Sequence, residues 1–155
     1  MVYKDFNELT DAVNNSARKK AVVAGAHDGH ALEAVLKAAD QGSIDYILVG
    51  AADKIAEIGE RSGHKIPGRK IVDIEDPDLM AAKAVELVRE GKGDFLMKGK
   101  METATILKAV VNKDTGIGTG SIMSHVAILD APGYHKLYEV DHGEYKLTVP
   151  NKNPK

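Results

Sequence analysis

Apolar residues along this chain fall into short uninterrupted runs with a regular beat. The runs begin at Ala21 (AVVAGA), Tyr46 (YILVGA), Lys70 (KIVDI), Asp94 (DFLMKG) and Ser121 (SIMSHVAIL), with starts 25, 24, 24 and 27 residues apart. Runs of this length without polar alternation suit strands buried on both faces. After each of the first four, apolar residues recur at helical spacing: Ala31, Ala34, Val35 and Ala38; Ile55 and Ile58 with Ala56; Leu79, Ala82, Val85 and Leu87-Val88; then Ala104, Leu107, Ala109 and Val110. Strands separated by helices suit right-handed βαβ crossovers, so the pattern predicts an α/β fold, a parallel sheet flanked by helices.

The first two units echo one another, Val23-Ala-Gly-Ala-His-Asp28 against Leu48-Val-Gly-Ala-Ala-Asp53. In both, an Asp stands where a helix should start, and a carboxylate there accepts the free N–H groups of the first turn. Asp28 and Asp53 are therefore expected as helix N-caps. A short helix from Asp5 to Asn14 should precede the first strand and turn Phe6, Leu9 and Val13 inward. After Leu129 the beat stops. Pro132-Gly133 marks a turn, and two alternating segments around Asp141-His-Gly-Glu144 predict a C-terminal β-hairpin with Gly143 at its tip. The expected organisation is an α/β domain over residues 1–133, followed by a hairpin and polar tail over 134–155.

Composition narrows the class of protein. The 155 residues hold 21 Lys plus Arg against 23 Asp plus Glu, a net charge of −2. A dedicated nucleic-acid binder would carry a cationic surplus, so none is expected. There is no Cys, which excludes disulfides, thiolate metal sites and Cys nucleophiles. No apolar run approaches the length of a membrane span, and residues 1–15 lack the apolar core of a signal peptide. A cytoplasmic protein is the expectation.

Among residues that could carry chemistry, Phe95-Leu-Met-Lys-Gly-Lys-Met-Glu-Thr-Ala-Thr-Ile-Leu-Lys108 stands first. A buried strand runs into a turn at Gly99 flanked by Lys98 and Lys100, and a helix begins near Glu102 or Thr103. In open α/β sheets ligands sit beyond the carboxyl ends of the strands, where helix N-termini face anions. Two lysines and a threonine there suit a phosphate group, or else form a solvated tight turn. No P-loop pattern is present. The stretch Asp114-Thr-Gly-Ile-Gly-Thr-Gly-Ser-Ile-Met-Ser-His125 holds Gly116, Gly118 and Gly120, either for close approach of a ligand or for a flexible connection. Because it follows a helix, it does not match the dinucleotide-binding fingerprint. Ser124 and His125 are neighbours within the expected fifth strand. They point to opposite faces and cannot act as a Ser–His pair, and His125 reads first as a satisfied core histidine. His27 and His30 form H-x-x-H without a third ligand, so no metal is expected. His64, His135 and His142 read as surface residues, and the acidic runs Asp73 to Asp78 and Glu139 to Glu144 as solvated.

Several blocks together resemble the phosphate acetyl/butyryl transferase family, its butyryl-type members in particular. They are Leu87-Val-Arg-Glu-Gly-Lys-Gly-Asp94, Phe95-Leu-Met-Lys-Gly-Lys100, Thr103-Ala-Thr-Ile-Leu-Lys-Ala-Val110, Asn112-Lys113, Gly116-x-x-Thr-Gly120 and Met123-Ser-His-Val-Ala127, and the likeness covers residues 17 to 137. It implies the first domain of an isocitrate/isopropylmalate dehydrogenase-like architecture, corresponding to the N-terminal half of a two-domain enzyme. The implied activity moves an acyl group from acyl-CoA to inorganic phosphate, giving an acyl phosphate and free CoA. CoA would be a substrate, with no covalently bound cofactor.

The resemblance carries Lys98, Gly99, Lys100, Thr103, Lys108, Thr119, Ser124 and His125 into the substrate- and CoA-phosphate-binding region. Lys108 falls where related acetyltransferases place an Arg that contacts CoA. It assigns no catalytic residue, because the groups that serve as base and carbonyl polariser lie in the half not matched here. Two departures stand out. Ile117-Gly118 replaces the Leu-Arg of the family's glycine loop, and the sequence from Tyr138 onward diverges. The alternatives are therefore an acyltransferase, half-length or truncated, and a non-catalytic domain that binds CoA or phosphate or associates with itself. Open sheet edges would favour a dimer.

Overall fold

The computed structural model describes Tyr3 and residues 5–124, 126–129 and 138–141. The chain divides into two compact units, Ala17–Thr119 and the pair of segments Met1–Ser16 and Gly120–Lys155.

In the second of these units, helix α1 (Phe6–Asn14) is capped by Asp5, whose side chain accepts from the Glu8 amide at 2.9 Å. The helix forms as predicted with Leu9 half-buried, but Phe6 and Val13 are not turned inward. Phe6 is 43% and Val13 40% exposed, and no residue of α1 is buried. Also in this unit, β5 (Val126–Leu129) pairs antiparallel with β6 (Tyr138–Asp141). The fifth apolar run is thus a strand only over its second half, in a two-stranded sheet. Its first half is exposed, Ile122 by 97%, and follows Gly120 at φ +81°. The predicted hairpin tip, Asp141-His-Gly-Glu144, lies largely outside the described residues.

The unit Ala17–Thr119 holds a four-stranded sheet built from β1 (Lys19–Ala24), β2 (Ile44–Gly50), β3 (Ile71–Asp73) and β4 (Phe95–Lys98). Spatial order is β3-β2-β1-β4, and every pair is parallel. The predicted parallel α/β sheet is therefore present with four strands. Helices α2 (Gly29–Asp40), α3 (Ala52–Arg61), α4 (Pro77–Arg89) and α5 (Thr103–Val110) connect or follow the strands.

Two cores lie on opposite sides of the sheet, and β1 shows why. Ala21 and Val23 pack with Leu32, Val35, Leu36, Ile55 and Ile58 of α2 and α3. Val22 and Ala24 pack with Met80, Ala81, Ala84 and Leu87 of α4 and Ile106 of α5. Alternate strand residues serve alternate faces, so a strand covered on both sides must be apolar throughout.

The helices bury part of the predicted faces, Val35, Ile55, Ile58, Val85 and Leu87 among them, and depart elsewhere. In α4 the buried stripe is Met80, Ala81, Ala84, Val85 and Leu87, while Leu79 is 62% exposed. Asp76 caps this helix through the Leu79 amide at 2.9 Å, with Pro77 in its first turn. That start sets the phase, and Ala81 and Ala84 let the helix lie close on the sheet. In α2 Leu32, Val35 and Leu36 are buried, whereas Ala34 is exposed. In α3 Ile55 and Ile58 are buried as expected and Ala56 is exposed. In α5 Ile106 is buried, while Ala104 and Leu107 are exposed.

Asp28 caps α2 as predicted, accepting from the Ala31 amide at 2.9 Å. Asp53 does not cap α3. The helix starts one residue earlier, after Ala51, and the Ala52 amide donates to Asp73 Oδ1 of β3 at 2.9 Å. A carboxylate from the neighbouring strand does what the local one was expected to do.

Candidate functional site

The strand order reverses direction at β1: β2 and β3 follow on one side and β4 on the other. A ligand crevice is expected at such a switch point, outside the carboxyl ends of the strands. Here the two loops close on each other. The Gly99 amide donates to Ala24 O at 2.8 Å and the Lys100 amide to Gly25 O at 2.9 Å. A β-carbon on Gly99 would stand 2.4 Å from Gly25 O, and one on Gly25, itself at φ +74°, would stand 2.6 Å from Lys100 O. Both glycines have a packing reason to be there: two backbones touch where side chains would hold them apart.

The Lys98 ammonium donates to Gly99 O at 3.3 Å and Met101 O at 3.1 Å, folding over its own turn. Lys100 and Thr103 are exposed beside it. Helix α5 begins at Thr103, as expected, after Glu102, which supplies no side-chain cap. Lys98, Gly99, Lys100 and Thr103 thus share one turn at the carboxyl rim.

Lys108 lies farther along α5, on the wall of a cleft of about 340 Å³ between α4 and α5. Ala82, Val85 and Ala109 make the cleft's apolar part, and Asp78, Thr105, Lys108, Asn112 and Thr115 bring polar groups to it. Its volume falls at the lower end of small-molecule sites, about 300–1,000 Å³. Thr105, Asn112, Thr115 and Asp78 were not singled out from sequence. The spacing of Thr105, Lys108 and Asn112, three and then four residues, was the available sign of one helical face.

The glycine loop after α5 is shaped by local bonds. Asn112 Oδ1 accepts from the amides of Asp114 at 2.9 Å and Thr115 at 3.0 Å. The amides of Ile117 and Gly118 reach back to Val110 O at 3.0 and 3.1 Å. A β-carbon on Gly116 would stand 2.3 Å from Val110 O. Thr119, exposed, ends this compact unit. Ser124 belongs to the other unit and is exposed and non-helical, ahead of the strand rather than inside it. His125 lies outside the described residues.

His64, expected as a surface residue, is half-buried and bonded through Nε2 to Asp40 Oδ2 at 2.8 Å. That hydrogen bond holds its pKa above the ordinary histidine value. Asp73 and Asp76, expected as merely solvated, cap α3 and α4. Among the described residues no three His, Asp or Glu side chains are grouped to hold a metal, and no helix is long and apolar enough to cross a membrane.

A four-stranded parallel sheet with helices on both faces, a glycine-sealed switch point and a lysine-bearing interhelical cleft together define an α/β domain with a candidate ligand site. A solved branched-chain phosphotransacylase from Enterococcus faecalis V583 has this fold, with a TM-score of 0.63 over 79% of this chain and 42% of that one at 24% identity. In sequence, the chain is 40% identical over 134 residues to a phosphate butyryltransferase of Clostridium beijerinckii and 42% identical to one of Clostridium acetobutylicum. Each match covers 86% of this chain and 44% of the relative. No family model matches. The chain is homologous to the phosphate acetyl/butyryltransferase family, and it spans less than half the length of the relatives it matches.

Proposed function

We propose that this chain supplies the CoA-binding wall of a phosphate acyltransferase of the butyryl type. The reaction passes an acyl group from acyl-CoA to inorganic phosphate. A phosphate oxygen attacks the thioester carbonyl, the carbon–sulfur bond breaks, and CoA leaves as the thiolate, which then takes a proton. The domain's part is to hold CoA and bring cationic charge to its phosphates. The observation that carries the reading is the place of Lys108, on a cleft of about 340 Å³ next to Thr105, Asn112 and Thr115. Its ammonium makes no ion pair with another described residue, so it is free to meet a phosphate. The relatives named phosphate butyryltransferase support the choice of acyl-CoA and phosphate as substrates.

Lys98, Lys100 and Thr103 at the rim, in the same compact unit as Lys108, complete the proposed binding region, whereas Thr119, Ser124 and His125 are assigned to substrate binding by the family resemblance alone. The domain architecture remains the isocitrate/isopropylmalate dehydrogenase-like first half, and the acting form is a homodimer in the cytoplasm. A second reading, a domain that binds CoA without turning it over, is favoured by Gly118, which stands where the family carries a cation. Calorimetric titration of the full chain with CoA tests the shared part of both readings. Saturable binding that is lost in Lys108→Ala supports it. Absence of binding, or binding unchanged by that substitution, refutes it.

A further inference from the structure

At the carboxyl rim each strand hands on to a loop or helix start bearing a charged or titratable residue. His27 and Asp28 follow β1, Lys54 lies in the first turn of α3 after β2, Glu75 follows β3, and Lys100 follows β4. His27 sits among them against Gly50, where a β-carbon would come within 2.8 Å of the His27 Nδ1. Glycine at the end of β2 is what leaves room for the ring. Nδ1 is buried and has no hydrogen-bond partner.

A buried nitrogen lacking an acceptor is a costly place for a proton, because an unmet donor loses its water and gains nothing. The proton of the neutral ring therefore belongs on Nε2, and a second proton is resisted. Burial first, then the ammoniums of Lys54 and Lys100, hold the His27 pKa below its ordinary value, against the opposing pull of Asp28 and Glu75. Asp28 is already committed to the Ala31 amide at 2.9 Å. Neither Lys54 nor Lys100 makes an ion pair with another described residue.

We propose that His27, Lys54 and Lys100 form an oxyanion site for a tetrahedral group of the phosphate class, in which His27 serves as a neutral hydrogen-bond donor through Nε2. A ring fixed by Gly50 offers one directed N–H, and the two ammoniums supply charge without need of acid. Lys100 is shared with the turn assigned above, but no residue of the Lys108 cleft takes part. The site therefore stands or falls apart from CoA binding in that cleft.

The test is sulfate binding to the full chain, followed by the imidazole ¹⁵N resonances of His27 at constant ionic strength between pH 6.5 and 8. Sulfate keeps a fixed charge across that range, so any pH dependence belongs to the protein. The site predicts a neutral Nε2–H ring and a saturable shift with an affinity nearly flat in pH. It also predicts binding about tenfold weaker or less in Lys54→Ala/Lys100→Ala. His27→Gln, which keeps a neutral N–H donor, should bind sulfate like the parent, and His27→Leu should not. Affinity that climbs as His27 takes up a proton would show an imidazolium instead and overturn the proposal. So would shifts that chloride reproduces at equal ionic strength, or full sulfate binding by His27→Leu.

Discussion

Replacing Gly99 by Ala puts the closure of the switch point to a quantitative test. The new methyl would lie 2.4 Å from Gly25 O and 3.1 Å from Gly25 C. Both are backbone atoms, which cannot rotate aside as a side-chain end could. Ordinary carbon contacts start near 3.5 Å, so the β1 and β4 loops must part by about 1 Å. The overpacking itself costs about 1–3 kcal/mol. Parting the loops also weakens the bonds from the Gly99 and Lys100 amides, 2.8 and 2.9 Å long, at about 1 kcal/mol each if lost. Against this stands a gain of about 0.4–1 kcal/mol from the stiffer unfolded chain, since Gly99 is not at positive φ. The sum is a destabilisation of about 2–4 kcal/mol. Urea unfolding followed by circular dichroism reads it as a lower midpoint. Gly68→Ala is the control: nothing lies within 4 Å of its β-carbon position and its φ is not positive, so it should be neutral or slightly stabilising. If Gly99→Ala fell within about 0.5 kcal/mol of the parent, the packing reason for this glycine would be wrong.

Other outcomes follow from single contacts. Asp73→Ala removes the side-chain acceptor of the Ala52 amide at the start of α3, and should cost about 1 kcal/mol and speed hydrogen exchange at that amide. Unchanged exchange would deny the cap. Because Asp40 raises the His64 pKa on folding, that contact contributes fully below the unfolded histidine value and fades as pH rises through the folded one. The stability gap between parent and His64→Ala should therefore be larger at pH 5.5 than at pH 8.5, and a gap that grew with pH would reverse the sign. Lys98→Ala should loosen the turn through loss of the bonds to Gly99 O and Met101 O, measurable as faster exchange of the Lys100 and Met101 amides. If it also weakens CoA binding while Lys108→Ala does not, the rim and not the cleft holds the nucleotide.

The two central strands were legible because parallel strands covered on both faces must be apolar throughout, as AVVAGA and YILVGA are, whereas KIVDI and DFLMKG carry charged residues and form shorter edge strands that are only partly buried, with Phe95 exposed rather than buried as expected. SIMSHVAIL is interrupted by Ser124 and His125, and among its described residues Val126–Leu129 form the strand, paired with Tyr138–Asp141. Pairing is a tertiary choice that a run of apolar residues does not encode. Asp28 was readable as a cap because its partner is three residues away, whereas the cap of α3 comes from Asp73, 21 residues from the amide it serves. The lysines of the rim were visible as a pattern, but the roles of Gly25 and Gly50 depend on which strand ends meet. The cleft beside Lys108 arises from the gap between two helices, and helical spacing shows faces without showing gaps.

The most direct measurement of the acyltransferase reading is release of CoA thiol from butyryl-CoA and phosphate by the purified 155-residue chain. A thiol-reactive dye reports it without protein background, since the chain has no Cys. If copies of the chain in the proposed homodimer complete the catalytic site, release is phosphate-dependent and disappears in Lys108→Ala. A folded chain that binds CoA yet releases no thiol would contradict the acyltransferase reading and leave the binding domain in its place.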